Sequence, residues 1–277
     1  MIEIGKYNNL KILRRTPFGL YLGDESGNDV LLPTKYCPNK FEMGDELKVF
    51  VYLDHNEKEI ATNIIPKILL YEFAMLQVKV VADVGAFMDW GLEKDLFVPF
   101  KEQRQRMEEG RWYIVYLDID RNTDRLYASN QIEKILQNED INLTAGEKVD
   151  LLILKETDLG FTVIVNNQHK GLIYENEIFK QLNIGDKLIG YVKNIREDNK
   201  IDISLQPIGF ENFNDVNTEL ILQKLSENKG FLTITDKSSP EEIYSTFGIS
   251  KKAFKKSLGS LYKHRKISIE PNGIKLT

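Results

Sequence analysis

The sequence predicts a mainly β protein with an α+β C-terminal domain: three small five-stranded barrels in tandem, followed by a helical domain that ends in a hairpin. Two observations predict this organisation. One pattern of short strands occurs three times along the chain, and the pattern changes from strands to helices after about residue 208. The chain has 277 residues, of which 42% are hydrophobic, so it is long and apolar enough to form several ordinary cores.

The three copies of the strand pattern share a glycine inside the second strand. These glycines are Gly19, Gly85 and Gly160, spaced by 66 and 75 residues. A repeat of that length corresponds to a whole small domain. The expected domains are therefore residues 1–66, 70–137 and 144–208.

Each copy favours a small barrel over a sandwich. Its five strands are rich in Val, Ile, Tyr and Phe and are separated by Gly, Asp and Asn turns, whereas sandwiches have seven or more strands. The five-stranded OB fold has this strand count. The glycine in the second strand lets that strand coil sharply, and its missing side chain opens the outer surface to a flat ligand.

The remaining segment, residues 214–277, predicts three helices and a terminal hairpin. The start of the second helix forms a capping box, because Ser239 precedes Pro240 at the first helical position and Glu242 at the third. Strands over 267–269 and 274–276 close the hairpin. This order is typical of a winged helix-turn-helix. The expected helix caps are Thr218, Ser239 and Ser250.

The residue types of the repeats resemble a known module. Their order is similar to the RNA-binding domain of ribosomal protein S-one, which has the OB fold. The fifteen residues from Asp89 to Gln103, DWGLEKDLFVPFKEQ, resemble a motif of the bacterial conserved virulence factor B family. Three such modules followed by a winged helix are also the layout of that family. The resemblance covers nearly the whole chain and implies RNA binding and a role in regulating gene expression after transcription.

The same resemblance implies which barrel residues bind RNA. In such modules single-stranded RNA crosses strands two and three, and two aromatics bracketing the glycine stack on bases. The second copy has Val84 in place of one aromatic, and the third has Leu159 and Thr162 in place of both. The expected RNA-binding residues are Phe18, Tyr21, Phe87 and Tyr174, with Arg14 and Lys200 near the phosphates.

An alternative interpretation is that these aromatics fill the barrel cores, as most aromatics do. Trp90 is expected to pack between modules, and Phe161 is expected in a core. A surface charge such as Lys200 is by itself most simply a solvated residue.

The third predicted helix of the C-terminal domain is strongly basic. Residues 248–266 contain seven Lys and Arg residues and no acid. At 100° per residue Lys252, Lys256 and Lys263 share one face, within about 40° of one another. Lysines favour attraction to phosphates over base reading. The alternative is a solvated charged face, but such faces usually mix signs. The expected phosphate contacts are Lys252, Lys255, Lys256 and Lys263, and the expected apolar face is Phe254, Leu258, Leu261 and Tyr262.

Charge is unevenly distributed along the chain. The 37 Lys and Arg residues against 42 Asp and Glu residues give a net charge of −5, which argues against a chain coated with basic surface. Residues 211–277 carry +3 and the rest −8. Binding by the barrels is therefore expected to depend on stacking, with the basic contacts concentrated in the last domain.

The sequence predicts no catalytic residues, no metal site and no cofactor. His55, His169 and His264 lack metal-ligand spacing and are expected at the surface. The single cysteine, Cys37, excludes an intramolecular disulfide and fits a reducing compartment. No apolar run reaches the roughly 18 residues of a membrane span or forms a secretion signal. A cytoplasmic protein without a membrane partner is expected.

The predicted function is single-stranded RNA binding without chemistry. Three alternatives stay open: a transcriptional regulator that binds DNA through the winged helix, a protein-interaction scaffold and, least favoured, a nuclease. The oligomeric state and the RNA sequence preference do not follow from the sequence.

Overall fold

A computed structural model describes residues 1–178, 181–207 and 216–277. The chain divides into two compact units, Met1–Gln206 and Pro207–Thr277. The predicted end of the third barrel domain at residue 208 and the predicted start of the last domain at residue 214 lie outside the described residues.

The first unit contains three modules of five strands each, as predicted. In the first module the strands form a closed barrel in the order β1-β2-β3-β5-β4, with β3 and β5 parallel and the other pairs antiparallel. A 3₁₀ turn, Thr34–Tyr36, follows β3. The strands are β1 (Tyr7–Thr16), β2 (Gly19–Gly23), β3 (Asp29–Pro33), β4 (Glu46–Leu53) and β5 (Glu59–Thr62).

The second module has the same strand order. Its third and fifth strands, β8 and β10, lie side by side, and the hydrogen-bonded sheet runs β10-β9-β6-β7-β8. A 3₁₀ turn, Phe100–Glu102, follows β8, and the four-residue helix α1 (Ile132–Ile135) follows β10. The strands are β6 (Phe73–Ala82), β7 (Gly85–Asp89), β8 (Leu96–Pro99), β9 (Trp112–Asp120) and β10 (Arg125–Ser129).

The third module is again a closed barrel, in the order β11-β12-β13-β15-β14. A 3₁₀ turn, Glu175–Glu177, follows its third strand, at the position of the turns in the other two modules. The strands are β11 (Lys148–Thr157), β12 (Gly160–Val165), β13 (His169–Tyr174), β14 (Lys187–Ile195) and β15 (Ile201–Ser204).

The repeated glycine is required by a close backbone approach. Gly19, Gly85 and Gly160 open the second strand of each module with φ values of 146°, 156° and 131°, which side chains rarely adopt. A Cβ there would also lie within 2.0 to 2.4 Å of a carbonyl oxygen of the third strand. The residue directly before the glycine is exposed in all three modules, whereas the residue directly after it is buried in the first two. The carbonyl oxygens belong to Leu32, Val98 and Ile173, respectively.

Trp90 packs between the first and second modules, as predicted. Its side chain is 3% exposed and lies edge-on to Phe50 and Tyr52 of β4, with ring centroids 5.8 and 6.1 Å away. The indole Nε1 donates to the carbonyl oxygen of Lys94 at 2.5 Å. The two modules therefore share one apolar core.

The second and third modules share a smaller core. Phe73 and Ile114 of the second module pack with Leu152 and Ile164 of the third. The backbone N–H of Phe73 also donates to Oδ1 of Asn167 at 3.0 Å. These contacts explain why the three modules form one compact unit.

The second unit has the predicted helices and hairpin, but the predicted cap Thr218 lies inside the first helix, which already begins at Val216. The capping box is present: Ser239 Oγ accepts from the backbone N–H of Glu242 at 3.1 Å, and Glu242 accepts from that of Ser239 at 3.0 Å. A two-residue strand, Phe231–Leu232, was not predicted, because it pairs with the last strand of the chain, more than 40 residues further on. The elements are α2 (Val216–Glu227), β16 (Phe231–Leu232), α3 (Pro240–Phe247), α4 (Lys251–Lys263), β17 (Ile267–Glu270) and β18 (Gly273–Leu276).

Candidate nucleic-acid interface

Phe18 is the most exposed aromatic position of the first module. It lies in the turn from β1 to β2, directly before Gly19, and its side chain is 75% exposed. Its backbone is held in place: the N–H donates to Oγ1 of Thr16 at 3.3 Å, and the carbonyl oxygen accepts from Thr34 N–H at 3.0 Å. A fixed backbone therefore presents a free aromatic ring to solvent.

Tyr21 lies three residues further along β2 and is partly covered. The guanidinium carbon of Arg14 is 4.0 Å from the centroid of its ring, and Nη1 of Arg14 contacts Oδ2 of Asp29 at 2.6 Å. The predicted phosphate ligand Arg14 is thus held in an ion pair over an aromatic ring. A planar guanidinium in this position can itself stack on a base.

The corresponding surface of the second module has a pair of phenylalanines. Phe87 of β7 lies opposite Phe97 of β8, with ring centroids 5.2 Å apart and planes at 35°. Val84 occupies the place of Phe18 and is 61% exposed. Phe97 was not among the predicted site residues. The alternation in β8, where Leu96 and Val98 are buried, could have revealed it.

A groove of about 650 Å³ adjoins this phenylalanine pair. One wall comes from the loop between β4 and β5 of the first module, and the other from β7, β8 and β10 of the second. Among its lining residues are His55, Glu57, Phe97, Arg125 and Tyr127. Burial, together with a hydrogen bond to the Asp118 carboxylate at 3.0 Å, raises the pKa of Tyr127 to about 12. The groove therefore combines aromatic rings with charged groups from two modules.

Among the described residues of the third module, no open aromatic pair lies at the corresponding surface. Tyr174 ends β13 and its hydroxyl accepts a hydrogen bond from Arg196, which also contacts Asp202 at 3.0 Å. Leu159, at the place of Phe18, is 60% exposed, and Thr162 is buried. Tyr174 therefore lies within a polar network and not beside a second described aromatic ring that could stack on a base.

Two further predictions concern Lys200 and Phe161. Lys200 pairs with Asp198 at 2.6 Å and lowers the pKa of that carboxyl. Its charge is thus balanced locally. Phe161 packs against the core of the third module, as predicted.

Helix α4 carries its lysines on the solvent side. Lys252, Lys255, Lys256 and Lys263 are all exposed. Lys255 lies 4.0 Å from Asp236, whereas Lys252 and Lys256 form no ion pair with any residue that the structure describes. The lysine stripe, Lys252 and Lys256, is therefore available to an anionic partner.

One predicted position on the apolar face of α4 is wrong. Phe254, Leu258 and Leu261 are buried, but Tyr262 is 57% exposed. At 100° per residue Tyr262 lies about 90° from the centre of the buried face, so it falls at the rim. Ser257 occupies the buried place instead.

The prediction of three surface histidines is wrong for His169. Its side chain is buried, and Nδ1 lies 2.9 Å from the carbonyl oxygen of Gln137. Side chains alternate between the two faces of β13, and this alternation places the His169 side chain on the inner face of the barrel. The sequence analysis did not consider this alternation. His55 is exposed, and His264 is half-buried with Nδ1 2.8 Å from the carbonyl oxygen of Ser260.

No group of three or more His, Cys, Asp or Glu side chains suited to a metal ion occurs among residues 1–178, 181–207 and 216–277. In the same ranges no helix combines the length and apolar character needed to cross a membrane.

Barrels that present aromatics beside a glycine bend, joined to a winged helix with a lysine stripe, define a multidomain nucleic-acid-binding protein. Two family models match the chain: residues 4–63 match the S1 domain, and residues 219–276 match the CvfB-like winged helix domain. Both describe binding modules and not catalytic domains. The match of the C-terminal domain and the relatives named below support the conserved virulence factor B family, in agreement with the resemblance of the sequence motif.

Relatives of this chain match along most of their length. It is 28% identical to the uncharacterized protein YitL of Bacillus subtilis over 95% of this chain and 90% of that protein. It is 27% identical to conserved virulence factor B of Staphylococcus aureus MRSA252, over 86% and 82% of the two chains. A solved structure from Streptococcus pneumoniae TIGR4, described as a multidomain protein with nucleic acid binding domains, is 26% identical, with a TM-score of 0.41 over 99% of this chain and 98% of that one.

Proposed function

We propose that this protein binds single-stranded RNA and thereby regulates gene expression after transcription. The observation that carries the proposal is the surface of the first module. Phe18 stands exposed at the Gly19 bend, Tyr21 follows on the same strand, and Arg14 covers one face of its ring. These residues lie within the segment that matches the S1 domain.

In this proposal the modules have different tasks. Stacking on Phe18 and Tyr21 supplies sequence-tolerant affinity, about 1–3 kcal/mol per base. The lysine stripe of α4 attracts phosphates. Linking such sites on one chain raises the overall affinity through effective concentration, so weaker contributions from Phe87 and Tyr174 still count.

The proposal is binding without a chemical step. It also places the protein in the cytoplasm. Cys37 is free, which fits a reducing compartment. The proposed activity is binding alone, so an RNA incubated with the protein and Mg²⁺ is expected to keep its length.

A second candidate function is binding of duplex DNA by the winged helix. The observation that favours it is that Lys252 and Lys256 are exposed and form no ion pair within the described part of the chain. Both lie on the helix that enters the groove in this topology. In that case the barrels would act as spacers.

Fluorescence anisotropy on the full chain distinguishes the two candidates. The ligands are single-stranded RNA, single-stranded DNA and duplex DNA of one sequence, at one salt concentration. We expect the tightest binding to single-stranded RNA. Tighter binding to the duplex would overturn the proposal in favour of the DNA-binding alternative.

A matched pair of variants tests the platform in the first module. Phe18→Ala should weaken RNA binding about 5- to 150-fold, the equivalent of one lost stacking contact. Leu159→Ala, at the same position of the third module and similarly exposed, should change it little. If Phe18→Ala with Tyr21→Ala leaves the affinity unchanged, and reversing the lysine stripe does too, the scaffold alternative is favoured.

A further inference from the structure

The groove between the first and second modules has the size of a small-ligand site. Its volume of about 650 Å³ lies within the range of roughly 300–1,000 Å³ that is common for such sites. It is lined from two modules that share a core through Trp90, so its walls are held in a fixed relation. A groove of this size accommodates one or a few flat rings and is too small for a duplex.

The walls offer aromatic surface. Phe87 and Phe97 form one wall with ring centroids 5.2 Å apart, and Tyr127 lines the groove from β10. His55 and Tyr52 line it from the first module. Flat aromatic faces stack on any nucleobase, because every base has a π-face.

Most charges that line the groove are neutralised within the protein. Glu57 contacts both Lys94, at 3.3 Å, and Arg125, at 2.9 Å. Glu93 pairs with Lys35 outside the groove, and Asp95 with Lys79 at 2.7 Å. A phosphate inside the groove would lie near these carboxylates, and the cations that could attract it are already paired with them. Binding of a phosphate inside the groove is therefore disfavoured.

Lys101 differs from the other cations of the groove. It lies in the 3₁₀ turn after β8, is exposed, and forms no ion pair with any residue in the described ranges. The exposed side chain of Arg104 is three residues further on, within about 11 Å along the chain. An exit path for a sugar-phosphate backbone thus begins at Lys101.

We propose that this groove is a nucleobase pocket, which takes one base of a bound single strand between Phe87, Phe97 and His55 while the backbone leaves past Lys101. The proposal rests on the proposed function, since the base belongs to a single-stranded RNA. It adds a discrete subsite built from two modules, with aromatic walls for the base and with lining charges that are mostly paired within the protein.

The test uses the full chain and two probes. The first is a single-stranded RNA with one 2-aminopurine, whose fluorescence falls when it stacks, placed at each position in turn. The second is free 2-aminopurine riboside. We expect one RNA position to be strongly quenched, and the riboside to be quenched at high protein concentration.

Variants at exposed lining residues leave the cores intact. His55→Trp fills the groove from the first module and should abolish quenching of the riboside and weaken RNA binding about 5- to 150-fold. Lys101→Glu should weaken RNA binding while leaving the uncharged riboside quenched. Lys148→Glu, an exposed lysine of the third module, is the matched control for the charge reversal and should do neither.

The outcomes separate the pocket from the proposed function. If RNA binds but His55→Trp and Lys101→Glu behave like Lys148→Glu, the pocket is overturned and the proposed function stands. A second outcome is that no RNA binds, while the unaltered chain quenches the riboside and the His55→Trp variant does not. In that case the pocket stands as a nucleoside site and the proposed function fails. Absence of riboside quenching by the unaltered chain overturns the pocket.

Discussion

Removing the lysine stripe of α4 should change the salt dependence of binding. Lys252 and Lys256 are exposed and unpaired among the described residues, so each is free to replace a counterion on a phosphate. The double variant Lys252→Ala with Lys256→Ala should leave the fold intact, because the buried side of α4 is formed by Phe254, Leu258 and Leu261.

The size of the effect follows from counterion release. The slope of log affinity against log salt is about −0.7 per neutralised phosphate for single strands and −0.9 for duplex DNA. Losing two contacts should therefore reduce the slope by about 1.4 on single-stranded RNA or 1.8 on a duplex. Between about 50 and 200 mM salt, a difference of 1.4 means that the unaltered chain loses roughly sevenfold more affinity than the variant.

Anisotropy titrations at four or more salt concentrations measure this slope. The matched control is Lys224→Ala with Lys237→Ala, which removes the same charge from the same domain at residues outside α4. Phe18→Ala should lower affinity at every salt concentration without changing the slope. An unchanged slope in the stripe variant, or a change equal to that of the control, would refute the assignment of phosphate contacts to Lys252 and Lys256.

Three further predictions concern the barrels. Val84→Phe restores an exposed aromatic at the second module and should tighten RNA binding about fivefold or more by anisotropy; unchanged affinity would mean that RNA does not cross this strand. Gly19→Ala places a Cβ 2.0 Å from the carbonyl oxygen of Leu32 at a φ of +146°, so urea unfolding followed by circular dichroism should show a loss of at least about 2 kcal/mol, and an unshifted midpoint would contradict the close approach. Trp90→Ala should cost about 3–5 kcal/mol in the same assay, whereas a loss below about 1 kcal/mol would mean that the shared core contributes little.

Local patterns of the sequence were sufficient to predict the modules. The spacing of Gly19, Gly85 and Gly160 predicted three barrels because each copy needs the same close approach between its second and third strands. The capping box at Ser239 could be predicted equally well, since all its partners lie within three residues. Features of this kind depend on short-range chain geometry and not on distant neighbours.

The surfaces of the modules were harder to predict. The position of Arg14 over Tyr21 depends on a register shift in β1 between Ile12 and Arg14, which no residue spacing reveals. The groove at Phe97 depends on how the loop of the first module packs against the second. His169 was misassigned because a polar residue on the inner face of a strand is indistinguishable, by type alone, from one at the surface.

The acidity of the barrels has a structural explanation that fits their proposed task. Several cations at the barrel surfaces are paired with acids, among them Arg14 with Asp29 and Arg196 with Asp202. Such pairs hold guanidinium groups beside aromatic rings, but they leave little net charge to attract a phosphate from a distance. The lysine stripe has no such partners among the described residues. We therefore expect the winged helix to govern the rate of association, which long-range attraction raises, and the barrel aromatics to govern the rate of dissociation, because stacking acts only at contact.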